Sequence, residues 1–325
     1  MAVDLAWNTI VSPVVLFFVL GLVAALARSN MSIPEDFAKG IAIYLMMAIG
    51  LKGGFEMARS GFSLEVGLVM GAGVLLSLVI PVIAYALLRG TTPLGRIDAA
   101  AAAAHYGSIS IVTFIAASQA VEWAGLESSG HLVAVAALME APAIVAALLL
   151  AGRDRTRTEV GARPGELMRE VVLNASVVVL VGGLLIGWAT GERGYAQVER
   201  FFLTPLQGVL CLFLLDMGLA AGRGLRQGRG ELGLTTVAFG LYMPLIGGAI
   251  AAGVCYLLGM GPGDAALLIT LTASASYIAV PAAMRLALPE ARPSIYLTLS
   301  LGVTFPFNLT VGIPAYVFVG RVIGG

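Results

Sequence analysis

The sequence predicts an all-α membrane protein in which ten transmembrane helices form two inverted five-helix repeats, with helices 4 and 9 broken at mid-membrane. Of its 325 residues, 59% are hydrophobic and 12% are charged, and the mean hydropathy is +0.95. This composition is typical of an integral membrane protein. Ten apolar segments are long enough to cross about 30 Å of hydrocarbon at about 1.5 Å per residue. Two of these segments contain the same kind of polar interruption.

The ten predicted helices fall into two sets of five. The polar stretch at 152–170 separates the sets and is too short for a folded domain, so it indicates a linker loop between a first repeat at 1–151 and a second at 171–325. An odd number of helices per repeat gives the two halves opposite orientations in the membrane. The predicted helices lie at 10–28, 38–57, 64–89, 97–119, 131–151, 171–190, 203–222, 231–259, 264–286 and 294–320.

Matches between the halves support an internal repeat. Pro142 falls near Pro306 at a shift of 164 positions. At a constant shift of 168 positions, the matching residues are Gly50 and Gly218, Leu51 and Leu219, Gly54 and Gly222, and Ser108 and Ser276.

The basic residues predict the orientation in the membrane. Fourteen of the 19 Lys and Arg residues lie on one face of the predicted topology, including five within 152–170, and five lie on the other face. Because cytoplasmic loops carry the excess of Lys and Arg, the first face is cytoplasmic. Both termini are then extracytoplasmic, and the linker loop is cytoplasmic. The five residues of the outer face are Lys52, Arg59, Arg193, Arg200 and Arg321.

The two interrupted segments are AHYGSISIVTFIAA at 104–117 and LTASASYIAVPAAM at 271–284. Non-helical backbone at membrane depth is tolerated only where it lines a cavity or is buried in protein. Paired broken helices in corresponding halves therefore indicate the substrate site of a transporter. The alternative is that the small residues only let two helices cross closely, as is common at membrane helix interfaces.

Half-helix N-termini at such breaks present backbone N–H groups and positive dipole ends, which favour an anion. Neither segment contains Lys or Arg, so a small monoanion fits better than a polyanion. Hydroxyl groups would donate to the anion, and Gly107 would let backbone approach closely. The candidate binding residues are Gly107, Ser108, Ile109, Ser110, Thr113, Ser274, Ala275, Ser276 and Tyr277.

Other function classes find less support. Lys plus Arg equals Asp plus Glu, which argues against a nucleic-acid partner, because binding nucleic acid needs a basic patch. The sequence shows no nucleophile, metal cluster or paired acid and base on one helix face, so we expect neither an enzyme nor a cofactor. A membrane sensor that transports nothing would not need symmetric helix breaks.

Ionisable residues inside predicted helices are further candidates, because a charge at mid-bilayer costs at least about 2.5 to 3.5 kcal/mol. Glu140 lies near the middle of helix 5, before Pro142, and is the candidate cation or proton ligand. Alternatively, a protonated Glu140 caps backbone freed by the proline. Thr304 and Asn308 flank Pro306 in helix 10 and are candidate coupling residues.

Lys52 and Asp216 lie near equivalent places in the two halves, each just outside the midplane. Lys52 either supplies a fixed positive charge that replaces a coupling ion or snorkels to the outer interface. Asp216 is expected to act in helix packing or gating.

The sequence resembles the sodium-dependent bicarbonate transporter family over nearly its whole length. The matching stretches are IPEDFAKGIAIYLMMAIGLKGG, HYGSISIVTFIAA, ALMEAPAIVAALLLA and SASYIAVPAAMRLALPEARPSIYLTLSLGVTFPFN. The resemblance implies a fold similar to bile-acid sodium symporters and sodium/proton antiporters, with bicarbonate bound between the broken helices. It also implies a core of helices 3, 4, 5, 8, 9 and 10 that moves like an elevator against a gate of helices 1, 2, 6 and 7. A homotrimer, a cytoplasmic PII-like regulator and a location in the bacterial plasma (inner) membrane are implied as well.

The chain departs from the family pattern at one position of the second break. Cyanobacterial members carry an Asp in an SSSD motif where this chain has Tyr277, which removes a carboxylate from the expected sodium site. Sodium at Glu140, Thr113 and Thr304, proton coupling, and uncoupled transport therefore remain alternatives. The cytoplasmic loop also looks shorter than in those members. An organic monocarboxylate is the alternative substrate, because Tyr106, Phe114 and Tyr277 would suit a less polar anion.

Overall fold

A computed structural model describes residues 11–61, 63–151, 173, 175–227, 232–277, 280–281, 284, 288 and 290–325. Across these residues the chain is helical and contains no strand, which confirms the all-α fold class. Within the described ranges, six helices are long and apolar enough to cross a membrane. The predicted linker at 152–170 and the first ten residues lie outside the described part.

The helices are numbered in chain order. Their bounds are α1 Pro13–Leu26, α2 Glu35–Ser60, α3 Leu64–Thr91, α4 Arg96–Gly107, α5 Ile111–Trp123, α6 His131–Leu138, α7 Glu140–Ala151, α8 Ala175–Phe202, α9 Leu206–Gln227, α10 Leu234–Leu258, α11 Pro262–Ala273 and α12 Pro293–Gly324. The broken helix 4 of the sequence prediction corresponds to α4 and α5, helix 5 to α6 and α7, and the first half of helix 9 to α11.

Helix α12 is continuous, but its hydrogen-bond pattern widens on both sides of Pro306. π-helical turns cover Thr298–Thr304 and Asn308–Gly312. Proline lacks the N–H of an ordinary helical turn and its ring crowds the preceding turn, which accounts for the local rearrangement.

The predicted end of helix 6 near residue 190 coincides with a kink, and beyond it a further helical segment that the sequence did not predict continues α8 to Phe202. Gly191 provides the kink with a positive φ of 52° and ψ of −144°, a conformation that suits glycine. Beyond it, the Tyr195 ring packs edge-on against Phe55 at 5.4 Å, and the Phe202 ring stacks on Tyr44 at 5.5 Å. The polar residues of this segment resemble a loop in the sequence, but its aromatic residues dock it on α2.

Two pairs of helices cross closely at glycines. Helix α2 crosses α8, where a Cβ added at Gly50 would lie 2.6 Å from the Leu180 carbonyl oxygen. Helix α9 crosses α1, where a Cβ added at Gly218 would lie 2.1 Å from the Phe18 carbonyl oxygen. The glycines one turn further on, Gly54 and Gly222, make the matching approaches to Leu184 and Leu22.

The half-helices α4 and α11 have the same length and the same end geometry. Each has 12 residues and a glycine N-cap, Gly95 or Gly261. Each ends at a serine in extended conformation, with φ −84° and ψ 161° at Ser108 and φ −85° and ψ 166° at Ser274. The breaks therefore correspond at a shift of 166 positions, and the 168-residue alignment of Ser108 with Ser276 is wrong by two residues.

Candidate functional site

The two helix breaks lie against each other in the protein interior. The Ser110 backbone N–H donates to Ser274 Oγ at 2.9 Å, and the Ser276 backbone N–H donates to the His105 carbonyl oxygen at 2.7 Å. All four serines of the breaks are buried: Ser108, Ser110, Ser274 and Ser276. The structure therefore brings the two predicted halves of the site together.

Two of the serine hydroxyls serve the local backbone. Ser110 is the N-cap of α5, and its Oγ accepts the Thr113 backbone N–H at 3.2 Å and the Thr113 hydroxyl at 2.8 Å. Side-chain caps of this type satisfy N–H groups that the first helical turn leaves free. Ser274 Oγ donates to the Leu271 carbonyl oxygen at 2.8 Å. The hydroxyls of Ser110, Thr113 and Ser274 therefore build the breaks.

Two other hydroxyls at the breaks have no partner among the described residues. Ser108 Oγ is fully buried and makes no hydrogen bond there. The Tyr277 hydroxyl is also unpaired, although Ser110 is its neighbour and its ring packs on Phe305 at 5.2 Å. Because an unpaired buried hydroxyl is costly, these two groups are the best candidates to donate to a ligand.

The other predicted contact residues form the walls of the site. Ile109 and Ala275 are buried apolar side chains. Gly107 lies where backbone must come close, because a Cβ there would be 2.0 Å from Pro81 Cγ and 2.9 Å from Ala143 Cβ. The break of helix 4 therefore sits directly on α3 and α7.

Glu140 is the first residue of α7, at a second interruption between α6 and α7. Its side chain is 5% exposed, and its Oε2 has no hydrogen-bond partner among the described residues. The preceding carbonyl of Met139 accepts the Ser77 hydroxyl at 2.5 Å. Glu140 is therefore a buried carboxyl with a free oxygen, which fits a bound cation or a proton.

Thr304 and Asn308 hold parts of the core together. The Thr304 hydroxyl donates to the Gly240 carbonyl oxygen at 2.8 Å and lies 2.6 Å from the Tyr106 hydroxyl. Asn308 Nδ2 donates to the carbonyl oxygen of Ala273, the last residue of α11, at 2.8 Å. The other hydroxyl of the predicted sodium site, Thr113 Oγ1, donates to Ser110 Oγ at 2.8 Å.

Lys52 and Asp216 lie apart from the hydrogen bonds that join the breaks. Lys52 Nζ lies 3.6 Å from Glu122 Oε2, and the Lys52 side chain is 39% exposed. This pair connects α2 to the end of α5 beside a cavity of about 530 Å³. Asp216 is buried on α9.

One pair of residues at the half-helices, Asp98 and Asp264, was not predicted from the sequence. Each is the third residue of a half-helix, and each binds the start of a helix in the other half of the chain. Asp98 accepts hydrogen bonds from Arg292, and Asp264 accepts hydrogen bonds from Ser129. The repeated spacing of Gly95 to Asp98 and Gly261 to Asp264 was the available signal.

The sequence matches the family model of the Na+-dependent bicarbonate transporter superfamily over residues 13–321. The chain belongs to this superfamily. The family resemblance is thereby confirmed, and membership makes the chain a transporter and not an enzyme. Together with its apolar helices, membership also makes it a multi-pass membrane protein. None of the curated proteins matches the sequence.

The range that matches the superfamily model, residues 13–321, includes both helix breaks, Glu140 and the part of α12 up to Arg321. The buried hydroxyls therefore lie inside the region that defines the family.

Proposed function

We propose that the chain is a secondary active transporter that imports bicarbonate and binds it between the two helix breaks. The observation that carries this proposal is the pair of breaks with unpaired, buried hydroxyls at Ser108 and Tyr277. A buried site with unused hydroxyl donors suits an oxyanion. Superfamily membership supports bicarbonate as that anion.

The electrostatics of the site favour a single negative charge. Helix α5 begins at Ile111 with its positive end at the break, and a helix N-terminus is equivalent to about half an elementary charge. The sequence predicts a second such N-terminus after Tyr277, where residues 278–279 lie outside the described part of the chain. Together the two would balance about one negative charge. Bicarbonate then needs no Lys or Arg at the site, whereas a polyanion would remain undercompensated.

We propose that the transporter has ten helices in two inverted repeats. This proposal is supported by helix geometry that occurs twice in the described part of the chain. The glycine crossing of α2 on α8 has its counterpart in α9 on α1, and α4 and α11 share length and both end conformations. Five helices per repeat would invert the second half, so the two breaks meet from opposite sides.

We further propose cation symport, with Glu140 as the coupling residue. The free, buried Glu140 Oε2 supports this role, and the superfamily favours sodium as the cation. Tyr277 offers no carboxylate, so Glu140 would be the charged ligand. Thr113 and Thr304 would add neutral oxygen ligands, because a hydroxyl that donates its hydrogen keeps lone pairs that can bind a cation.

The motion proposed for transport is an elevator movement of a core against a gate. The gate comprises α1, α2, α8 and α9, which are joined by the glycine crossings. The remaining helices form the core. Gate and core are in close contact at Gly53 of α2 in the gate and Gly130, which precedes α6, in the core. A Cβ added at Gly130 would lie 2.4 Å from the Gly53 carbonyl oxygen. A homotrimer, a PII-like cytoplasmic regulator and a bacterial inner-membrane location with both termini outside remain proposals that rest on the family resemblance.

The proposal is tested by initial rates of labelled bicarbonate uptake into proteoliposomes at alkaline pH, with protein-free liposomes as the control for CO₂ permeation. We expect saturable uptake that unlabelled bicarbonate abolishes and acetate leaves unchanged. If acetate competes as well as bicarbonate, the site takes organic monocarboxylates instead. Uptake equal to that of empty liposomes would refute transport of bicarbonate.

A further inference from the structure

Each half-helix of the broken pair is fixed at its start by an aspartate that binds the other half of the chain. Asp264 lies in the first turn of α11, and its Oδ1 accepts the Ser129 backbone N–H at 2.6 Å. Its Oδ2 accepts the Ser129 hydroxyl at 2.7 Å. Both carboxylate oxygens are thus engaged by the residue two positions before α6.

Asp98 occupies the same place in α4. Its Oδ1 accepts the Arg292 backbone N–H at 2.9 Å, and its Oδ2 accepts Arg292 Nε at 3.0 Å and Nη2 at 2.8 Å. Arg292 immediately precedes α12. Charge-assisted hydrogen bonds of this kind are stronger than those between neutral groups. The two aspartates therefore make equivalent connections, from the first half to the second and from the second to the first.

We propose that Asp98 and Asp264 are positioning residues of the anion site, each setting where its half-helix ends at the paired breaks. This inference rests on the proposed function. An acidic residue in a first helical turn can simply favour the helix dipole. Here, however, both oxygens of each carboxylate bind a residue outside the helix, so these side chains tie the half-helices to other elements.

The connection reaches the site because α11 is a short, buried and regular helix. Ten residues separate Asp264 from Ser274, which corresponds to about 15 Å along the axis. Ser274 Oγ accepts the Ser110 N–H, and the Ser276 N–H donates to His105. Sliding or rotating α11 would therefore change the hydrogen bonds between the breaks. The contact at its start is also tight, since a Cβ at Gly263 would lie 2.0 Å from the Glu127 carbonyl oxygen.

The test compares Asp264→Ala, Asp264→Asn and Ser129→Ala in the full-length transporter. Alanine removes both hydrogen bonds to Ser129. Asparagine keeps an acceptor for the backbone N–H and can donate to the Ser129 hydroxyl, so it should rescue. Ser129→Ala removes one of the two bonds. Leu88→Ala, a truncation at a fully buried site on α3, is the control for loss of stability alone.

Two measurements are made on each variant. The first is the half-saturation concentration and maximal rate of labelled bicarbonate uptake. The second is hydrogen exchange at the Ser110 and Ser276 amides, which report the junction of the breaks. For Asp264→Ala we expect a rise of about tenfold or more in the half-saturation concentration, as for loss of a hydrogen bond to a charged group. We expect faster exchange at both amides, a smaller effect in Ser129→Ala, and near wild-type values in Asp264→Asn.

A purely structural role would give a different result. Asp264→Ala would then lower the melting temperature like Leu88→Ala and leave the half-saturation concentration and both exchange rates unchanged, which would overturn the proposal. If Asp264→Ala does not fold, the same two measurements on Ser129→Ala and Asp264→Asn test the proposal. A raised half-saturation concentration and faster amide exchange in Ser129→Ala, with near wild-type values in Asp264→Asn, would support it, and wild-type values in both variants would overturn it. If the wild type takes up no bicarbonate, the proposed function fails, and hydrogen exchange still decides whether Asp264 positions the breaks.

Discussion

Replacing Ser108 with alanine should weaken anion binding without destabilising the fold. Ser108 Oγ is fully buried and has no partner among the described residues. An unpaired buried hydroxyl costs about 1–3 kcal/mol, so its removal should leave the free energy of unfolding unchanged or increase it. A hydrogen bond to a charged oxyanion contributes about 1.5–3 kcal/mol. At 1.4 kcal/mol per factor of ten, the half-saturation concentration for bicarbonate should rise about 10- to 150-fold.

The assay is uptake into proteoliposomes together with thermal unfolding of the same preparations. Ser110→Ala is the matched control, because it removes the hydroxyl that caps α5 and should cost about 1 kcal/mol of stability. Adding Ser276→Ala to Ser108→Ala should abolish binding in a protein that still folds. A Ser108→Ala variant with the half-saturation concentration of the wild type would refute the assignment of this hydroxyl to substrate binding. Normal transport by the variant that carries both Ser108→Ala and Ser276→Ala would refute it as well.

Gly107→Ala should cost at least about 1–3 kcal/mol and reduce uptake, because its Cβ would overlap Pro81; Gly71→Ala, which has open space around it, should melt and transport like the wild type. Glu140→Gln should keep the protein folded but remove the dependence of bicarbonate uptake on a cation gradient; unchanged gradient dependence would exclude Glu140 as the coupling residue. Lys52→Glu should slow uptake several-fold, since a partly exposed ion pair contributes at most about 1 kcal/mol, and adding Glu122→Lys should restore the rate. If the variant with both Lys52→Glu and Glu122→Lys takes up bicarbonate no faster than Lys52→Glu alone, this ion pair does not join the proposed gate and core.

The helix breaks could be predicted because their chemistry is local. A cluster of serine and glycine within an otherwise apolar run has few roles other than to interrupt or pack a helix, and Ser108 and Ser274 do end their helices. Pro306 likewise marks the rearranged turns of α12. Composition together with the length of the apolar segments was enough for the all-α class. These features need no knowledge of contacts distant in sequence.

The alignment of the two breaks shows where local chemistry is insufficient. The second break reads Ser-Ala-Ser, so a shift of 166 or 168 places a serine opposite Ser108 equally well. The position of the helix end identifies Ser274 as the counterpart of Ser108, in agreement with the equal spacing of Gly95 and Asp98 in one half and Gly261 and Asp264 in the other. The division of the hydroxyls into caps and free donors also depends on geometry, because Ser110 and Ser108 are the same residue type two positions apart.

The contacts between the two halves of the chain could not be predicted from the sequence. Asp264 and Ser129 lie 135 positions apart, and Asp98 and Arg292 lie 194 positions apart. Each of these aspartates is compatible with an ordinary first turn of a helix, so nothing local reveals its partner. The helical segment of α8 beyond Gly191 was not predicted for a similar reason, because its aromatic residues are held in place by contacts with α2, which is distant in sequence.

The most direct test of secondary active transport is accumulation of labelled bicarbonate in proteoliposomes with an inward sodium gradient at fixed pH, compared with the same vesicles after a sodium ionophore has dissipated the gradient. We expect transient accumulation of bicarbonate above the equilibrium level with the gradient and none after the gradient is dissipated. Uptake that never exceeds equilibrium under a sodium or a proton gradient would contradict cation-coupled import of bicarbonate.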